Sequence, residues 1–177
     1  MSKSALTTTF LACCGVILPL ISVAQICQTT TIPATTPTAR FTNNGNGTVT
    51  DKKTGLMWKQ CSEGLSGMDC TVGVAKTETW WVALQYTQTV NTTSGFAGFS
   101  DWRLPNIKEL RSIVERQCHS PAINLTIFPN TTADYFWSSS TAAWSGEYAW
   151  YVTFDIGRDA WLEKAKYFQI RLVRGGQ

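Results

Sequence analysis

The chain has 177 residues, of which 12% are aromatic and 15% charged, a composition that is too apolar for a disordered protein and typical of one folded domain. Fifteen Lys and Arg residues face 12 Asp and Glu residues, and the net charge of +3 gives no indication of a nucleic-acid partner. Length and composition exclude a multidomain enzyme and a coiled coil.

The first 24 residues have the pattern of a secretory signal peptide. Lys3 precedes an apolar run from Phe10 to Val23, and Ala24 is a small residue of the kind found before a cleavage site. The run is shorter than the roughly 20 residues that span a bilayer, so no membrane span is expected. The mature protein is therefore predicted to be exported, as a periplasmic, cell-surface or secreted protein.

Four cysteines remain after the predicted signal peptide, Cys27, Cys61, Cys70 and Cys118, and an even number in an exported chain predicts two disulfide bonds. Three pairings are possible. The short separation of Cys61 from Cys70 favours that bond, which leaves Cys27 for Cys118. No metal site and no cofactor are predicted, because the chain has no C-x-x-C spacing and His119 is its only histidine.

Residues 25–39 are rich in Thr and Pro and lack periodicity, which predicts an extended linker before a folded domain at 40–177. At the start of that domain, two Asn-Gly pairs within 44–47 separate β-prone runs. This pattern predicts a hairpin or a small meander over 41–58.

Two helices follow. Thr79 is predicted to cap a helix of about a dozen residues that begins at Trp80 and ends in the polar run 91–95. Asn106 and Glu109 have the spacing of a capping box, which predicts the start of a second helix. The apolar face of this second helix consists of Ile107, Leu110, Ile113 and Val114. Both helices are expected to cover one side of a sheet.

The last quarter of the chain is enriched in aromatic residues. In segment 149–157, apolar and polar residues alternate with the period of a half-buried strand. The expected core set is Trp150, Val152 and Phe154, together with Trp137, and the expected outward set is Tyr151, Thr153 and Asp155. A last strand is predicted at 168–173, whereas 141–147 and 157–167 lack periodicity and are predicted to be loops that carry exposed aromatic residues.

The sequence contains no pattern that selects a catalytic centre. His119 and Ser120 are adjacent, but no serine lies in a nucleophile motif. No spacing selects two carboxylates as a glycosidase pair. The prediction is a protein that is not an enzyme, with a hydrolase that uses Asp or Glu residues as the alternative.

Six long segments follow one another in a characteristic order. They are RFTNNGNGTVTDKKTGLMW (40–58), DWRLPNIKEL (101–110), SPAINLTIFPN (120–130), YFWSSS (135–140), AWYVTFDIG (149–157) and RLVRGG (171–176). Together they resemble the bacterial Lcl C-terminal domain family over nearly all of the chain from Arg40 onward. This resemblance implies an α+β, C-type-lectin-like fold, with a small twisted antiparallel sheet, two helices and long loops, in exported proteins that bind rather than catalyse.

The C-terminal segment also resembles the variable segment of proteins targeted by diversity-generating retroelements. In such segments a fixed frame alternates with positions that face a ligand. Carried over to this chain, the frame is Trp137 to Ser140, Ala149, Trp150, Val152, Phe154, Gly157 and Arg171 to Gly176. The resemblance implies that the residues between these positions face a ligand, whether the segment is diversified or fixed.

The sequence thus predicts an exported binding or adhesion module that presents an aromatic-rich surface, within 141–170, to a protein or glycan ligand. The expected ligand-binding residues are Trp144, Tyr148, Tyr151, Thr153, Asp155, Arg158, Asp159 and Trp161. For Trp144 and Trp161 a position in the core is an equal alternative. A further hypothesis is a subunit of an envelope or appendage assembly, with the aromatic face as the interface of a homo-oligomer.

Overall fold

The computed structural model describes residues 24–175, so the predicted signal peptide lies outside the described residues except for Ala24. The helices are α1 (Trp80–Thr93) and α2 (Ile107–Ser112), and a short 3-10 turn spans Thr38–Arg40. The strands are β1 (Ile26–Cys27), β2 (Phe41–Asn43), β3 (Thr48–Asp51), β4 (Met57–Lys59), β5 (Leu65–Ser66), β6 (Val72–Gly73), β7 (Thr77–Glu78), β8 (Cys118–His119), β9 (Tyr135–Thr141), β10 (Tyr148–Thr153), β11 (Arg158–Glu163), β12 (Phe168–Gln169) and β13 (Val173–Arg174).

Two sheets form the body of the protein. One has five strands in the order β11-β10-β9-β12-β7, and the other has four in the order β13-β4-β3-β2. Neighbouring strands are antiparallel except β12 and β9, which are parallel. The pairs β1-β8 and β5-β6 form separate two-stranded ribbons. The α+β prediction, with antiparallel sheet, two helices and long loops, is confirmed.

The predicted meander and the predicted second helix are both present. Strands β2, β3 and β4 pair in chain order, and the Arg40 guanidinium donates to the buried Asp51 carboxylate at their base, with Nε 2.7 Å from Oδ1. At the start of α2, Glu109 N donates to Asn106 Oδ1 at 2.9 Å and Asn106 N donates to Glu109 Oε2 at 2.8 Å. These two bonds satisfy backbone donors that a helix start otherwise leaves unpaired.

Both faces of the five-stranded sheet are covered, each by its own apolar core. On the α2 face, Phe136, Val152 and Phe154 pack with Leu110. On the α1 face the buried residues are Trp80, Trp137, Ala149 and Phe168. The two helices therefore lie on opposite faces of the same sheet, and the central strands have no fully solvated side.

The expectation that Trp150 lies in the core is wrong. Trp150 is half-buried, while its neighbour Ala149 is fully buried. Ala149 pairs with Thr141 but Tyr151 pairs with Trp137, so β9 contributes extra residues opposite Trp150. This bulge interrupts the regular pairing of β9 with β10 opposite Trp150. The alternation of apolar and polar residues did not separate core from surface positions here, because both faces of β10 are packed against other residues.

Two predictions for the C-terminal segment are also wrong. Residues 158–163, expected in a loop, form the edge strand β11. An edge strand is only partly covered on either face, which explains why its sequence lacks a clear period. The single strand expected at 168–173 is two short strands in different sheets, β12 and β13, joined by the fully buried residues Ile170, Arg171 and Leu172. Residues 142–147 form a loop, as predicted.

The segment 24–39, here called the strap, packs against the domain instead of forming a separate linker. Strand β1 pairs with β8, and Thr36 is fully buried. The Glu115 carboxylate accepts hydrogen bonds from the backbone N–H groups of Thr35 and Thr36, at 2.9 and 2.8 Å, and from both hydroxyls. Thr35 and Thr36 of the strap are thus bound by a buried acid that composition alone does not reveal.

Both disulfide bonds have the predicted pairing. Cys61 is bonded to Cys70 across the β5-β6 ribbon, and Cys27 is bonded to Cys118 between β1 and β8. The second bond joins positions separated by 91 residues, and it fixes the strap to the centre of the domain.

Acid is expected to weaken the attachment of the strap. Burial raises the pKa of Glu115, but hydrogen bonds from Thr35, Gln117 and Thr36 outweigh burial and hold the pKa below its usual value of 4.5. A lowered folded-state pKa stabilises the protein above the unfolded-state pKa, and this contribution is lost as the pH falls through the folded value. Urea unfolding of the wild type should therefore show a lower midpoint at a pH of about 3 than at neutral pH.

The variant Glu115→Gln separates this residue from the other acids. Asp51 and Glu109 also have lowered pKa values. Burial raises the pKa of each, but the hydrogen bonds that each accepts, from an arginine and from neighbouring groups, together outweigh burial, so the variant should retain part of the acid sensitivity. We expect Glu115→Gln to be less stable than the wild type at neutral pH and to lose less stability on acidification. Equal losses in the two proteins would contradict the role assigned to Glu115.

Candidate functional site

The segment Trp137–Ser140 joins the two helices to the sheet and so positions the loop that follows it. Trp80 Nε1, at the start of α1, donates to Ser138 O at 2.7 Å, and Ser138 Oγ donates to Trp150 O at 2.8 Å. Ser140 Oγ accepts from Ile107 N, the first residue of α2, at 3.0 Å. Through these bonds, the serines at the bulge hold the end of β9 against the start of α2.

An aromatic cluster lies where this end of β9 turns into β10. It consists of Trp144 in the 142–147 loop, Tyr148 and Trp150 on β10, and Trp161 on β11. The ring centroid of Trp161 is 5.1 Å from that of Trp144 and 5.5 Å from that of Tyr148, and Trp144 is 6.1 Å from Trp150. Trp144 is 58% exposed and Trp161 44% exposed, so neither residue is in the core.

Charged residues border the aromatic cluster and fix its loop. Asp159 on β11 pairs with Arg111 of α2, with Nε 3.2 Å from Oδ1. Lys164 is buried, and its ammonium donates to Gly146 O and lies 4.3 Å from the centre of the Trp80 ring. The loop that carries Trp144 is therefore tied to the end of β11 and to α1, which limits its freedom to move.

The structure does not bring the eight predicted site residues into one surface. The pairing of β10 with β11 places Trp150 opposite Trp161 and Val152 opposite Asp159, which puts these residues on the α2 face. Tyr151 and Thr153, opposite Ala160 and Arg158, point to the α1 face. The predicted residues thus form two groups. Four of them lie in or beside the aromatic cluster: Trp144, Tyr148, Asp159 and Trp161. The other four form a second group at the other end of the strands: Tyr151, Thr153, Asp155 and Arg158.

The second group lines a cleft of about 290 Å³ that also contains Tyr135 and Ala133. Tyr135, which is 43% exposed, was not predicted as a site residue. Its ring lies 5.2 Å from that of Tyr151 and stacks on Phe168 at 5.0 Å. Burial raises the pKa of Tyr151, and the neighbouring Tyr135 acts in the same direction. The sequence signal was the alternation of Tyr135 with Phe136 at the start of β9, which places Tyr135 on the face opposite Phe136.

Within residues 24–175, no three His, Cys, Asp or Glu side chains come close enough together to hold a metal ion. In the same part of the chain, neither helix has the length and apolar character needed to cross a membrane.

Segment 101–110 contacts the C-terminal segment of the chain through ion pairs and a hydrogen bond. Arg103 pairs with Glu109 at 2.7 Å and donates to Gly175 O at 2.8 Å, while Arg174 pairs with Asp101 at 2.7 Å. Segment 101–110 is thereby joined to the C-terminal segment. The model of the Lcl C-terminal domain family matches residues 47–174. The chain belongs to the Lcl C-terminal domain family.

The match covers every residue of the aromatic cluster and of the second cleft, whereas the strap lies before it. Membership of the Lcl C-terminal domain family indicates a binding or surface module. No curated protein matches the chain at a significant level. The C-type-lectin-like fold and the variable character of residues 141–170 stay predictions.

Proposed function

We propose that this Lcl C-terminal domain is an exported, non-catalytic binding module whose ligand contacts the aromatic cluster. The observation that carries the proposal is the pair Trp144 and Trp161, two large rings that touch each other while about half of each is exposed. Exposed tryptophan rings leave apolar surface in contact with water. A ligand that covers this surface removes it from water, which favours binding.

The cluster has the physical properties of an interface anchor. Tyr148 and Trp150 support the exposed rings from β10, and Lys164 holds the loop through Gly146. Little side-chain entropy is therefore lost when a ligand binds. The ion pair of Arg111 and Asp159 provides a polar rim beside an apolar centre, which is the usual anatomy of a protein interface.

An exposed strand beside the aromatic cluster favours a protein ligand there. Trp161 meets Trp144 at an interplanar angle of 76° and Tyr148 at 89°, so these rings support one another edge to face. Beside the cluster, β11 is the edge of its sheet, and its outer backbone groups are available to an added strand.

Export is supported by the two disulfide bonds, because such bonds persist in oxidising compartments. They do not select among the periplasm, the cell surface and the medium.

The hydrolase alternative requires two carboxylates in one site. In the clefts of the described part of the chain, Asp155, Glu115 and Glu109 are found in separate places. This arrangement favours binding over acid-base chemistry.

The assembly alternative requires the aromatic face to pair with a second copy. If two β11 strands paired antiparallel with Trp161 at the symmetry axis, Asp159 of each would oppose Glu163 of the other. Like charges in that position are destabilising, so this register of self-pairing is disfavoured.

The double variant Trp144→Ala/Trp161→Ala should lose ligand binding while remaining folded. The mature protein is applied to arrays of purified cell-envelope proteins, extracellular-matrix proteins and oligosaccharides, and retention is compared with that of the variant. Trp81→Ala is the matched control, because Trp81 is 59% exposed and packs against Trp80 on α1 instead of the cluster. We expect the proteins that retain the wild type to retain Trp81→Ala and to lose the double variant.

Thermal unfolding of the same samples separates binding from folding. The midpoint of the double variant should stay within a few degrees of the wild type, because exposed side chains contribute little to stability. Unfolding of the double variant at room temperature would show that both tryptophans are structural, and unchanged retention would show that the ligand binds elsewhere.

A further inference from the structure

Two neighbouring clefts meet at the end of the five-stranded sheet that lies opposite the aromatic cluster. The cleft that contains Tyr135 and Tyr151 shares Asp155 and Ala133 with a second cleft of about 490 Å³. Asp155 therefore stands at the junction of the two. We call the combined feature the polar groove.

One end of the polar groove is aromatic. Tyr135 and Tyr151 meet at 79°, and Tyr135 is further fixed by stacking on Phe168. Their carbon faces offer apolar contact and their hydroxyls offer hydrogen bonds, a combination suited to ligands that are themselves amphipathic.

The centre of the polar groove carries one acid and one base. Asp155 is exposed, and its Oδ1 accepts from Ser120 Oγ at 2.9 Å. Arg158, opposite Thr153 in the pairing of β10 with β11, is also exposed, and among residues 24–175 it forms no ion pair. The lining thus has an acceptor-only group, a donor-only group and no net charge.

The far end of the groove is built by side-chain amides and hydroxyls and is closed by the strap. Asn130, Thr131 and Thr132 line this end together with Gln25 of the strap. Gln25 Nε2 donates to Pro121 O at 2.6 Å and to Ile123 O at 2.7 Å, so its side chain is held in place. The disulfide bond of Cys27 secures the strap two residues further on.

We propose that the polar groove binds a neutral oligosaccharide, as a second site that is independent of the aromatic cluster. Sugar hydroxyls donate and accept, so a vicinal pair can donate to Asp155 and accept from Arg158, and charged partners make these bonds strong. The C–H face of the same or the next sugar ring packs on Tyr135 and Tyr151. A polyanion is disfavoured, because Asp155 repels it and Arg158 is the only cation among the lining residues.

The test titrates the mature protein with four neutral tetrasaccharides, built from glucose in α or β linkage, from mannose and from N-acetylglucosamine, and with a heparin tetrasaccharide for contrast. Binding is followed by calorimetry. We expect a dissociation constant in the micromolar to millimolar range for at least one neutral probe. Asp155→Asn and Arg158→Ala should each raise it about tenfold, since each removes a charged hydrogen-bonding partner. The amide oxygen introduced by Asp155→Asn can still accept from Ser120, so the fold is retained.

The double variant Trp144→Ala/Trp161→Ala is the control and should bind the neutral probe with unchanged affinity. The two proposals therefore fail separately: retention by the array proteins depends on the tryptophans, and oligosaccharide binding depends on Asp155 and Arg158. The proposal of a neutral glycan site is overturned if none of the neutral probes binds at millimolar concentration, if only the heparin probe binds, or if both groove variants bind as the wild type does.

Discussion

Replacing Arg171 with methionine is expected to lower the free energy of unfolding by about 3 kcal/mol or more. Arg171 is fully buried between the two sheets. Its Nη1 donates to the backbone oxygens of Lys59 and Gln60, and its Nη2 donates to Ser62 Oγ at 3.0 Å and to Thr131 Oγ1 at 2.7 Å. Methionine has a comparable shape but removes the donor from all four of these hydrogen bonds.

The charge of Arg171 is stabilised within the core. Burial lowers the pKa of Arg171 to about 9, and the nearby Glu63 acts in the opposite direction, so the guanidinium is charged at neutral pH. The centre of the guanidinium lies 5.0 Å from the Phe128 ring and 5.7 Å from the Phe136 ring. These faces provide cation-π attraction where water is absent.

Denaturant unfolding followed by tryptophan fluorescence measures the effect of the Arg171 substitution. Arg174→Met is the matched control, because Arg174 pairs with the exposed Asp101 and its loss should cost less than about 1 kcal/mol. Arg171→Lys should also be destabilised, since an ammonium cannot reproduce the fork of the guanidinium. Equal stabilities of the Arg171 and Arg174 variants would contradict the assignment of Arg171 as the link between the sheets.

Removing the bond of Cys27 with Cys118 is expected to have the largest effect of any covalent change. In the chain-entropy model, a bond that closes a loop of 91 residues stabilises the folded state by about 4.5 kcal/mol. The bond of Cys61 with Cys70 closes a loop of 9 residues and should contribute about 2.5 kcal/mol. The double serine variants at the two pairs should therefore differ by about 2 kcal/mol in free energy of unfolding.

Limited proteolysis shows whether the loss of the first bond also releases the strap. Without Cys27 and Cys118, the strap is still held by hydrogen bonds to Glu115 but has lost its covalent attachment. Cleavage within 25–39 should therefore become faster than in the wild type. The variant that lacks Cys61 and Cys70 serves as the control and should retain a protected strap. A stability loss that is larger for this control variant would contradict the ordering predicted from loop length.

Local patterns in the sequence predicted those parts of the fold that local interactions determine. The capping box of Asn106 and Glu109, the meander around the Asn-Gly turns and the pairing of Cys61 with Cys70 each depend on residues close together in the chain. The physics that stabilises them is visible within a few positions.

Long-range contacts determined the parts that were predicted wrongly. Trp150 follows the alternation of a core residue, but a bulge in β9 interrupts the regular pairing opposite it. The strap has the composition of a linker, and its partner, Glu115, is about 80 positions away. The role of the buried Arg171 was not predicted, because the carbonyls of 59 and 60 that it binds are 112 and 111 positions away.

The sequence predicted individual residues of the candidate site but not their arrangement in space. Arg158, Asp159 and Trp161 were expected in a loop and lie on β11, and the exposed positions of Trp144 and Trp161 answer a question that the sequence left open. The division of the eight predicted residues between two faces follows from the pairing of β10 with β11. That register could not be inferred from the sequence, because β11 has no periodicity.

The most direct test of the central claim is to observe the tryptophans while a ligand binds. The indole N–H resonances of the mature protein are assigned with single Trp→Phe variants, and the protein is titrated with the array protein that retains it most strongly. The account predicts that the signals of Trp144 and Trp161 shift or broaden, while those of the fully buried Trp58 and Trp137 stay in place. If the protein is saturated with the ligand and the signals of Trp144 and Trp161 do not move, the claim that the aromatic cluster is the binding surface is contradicted.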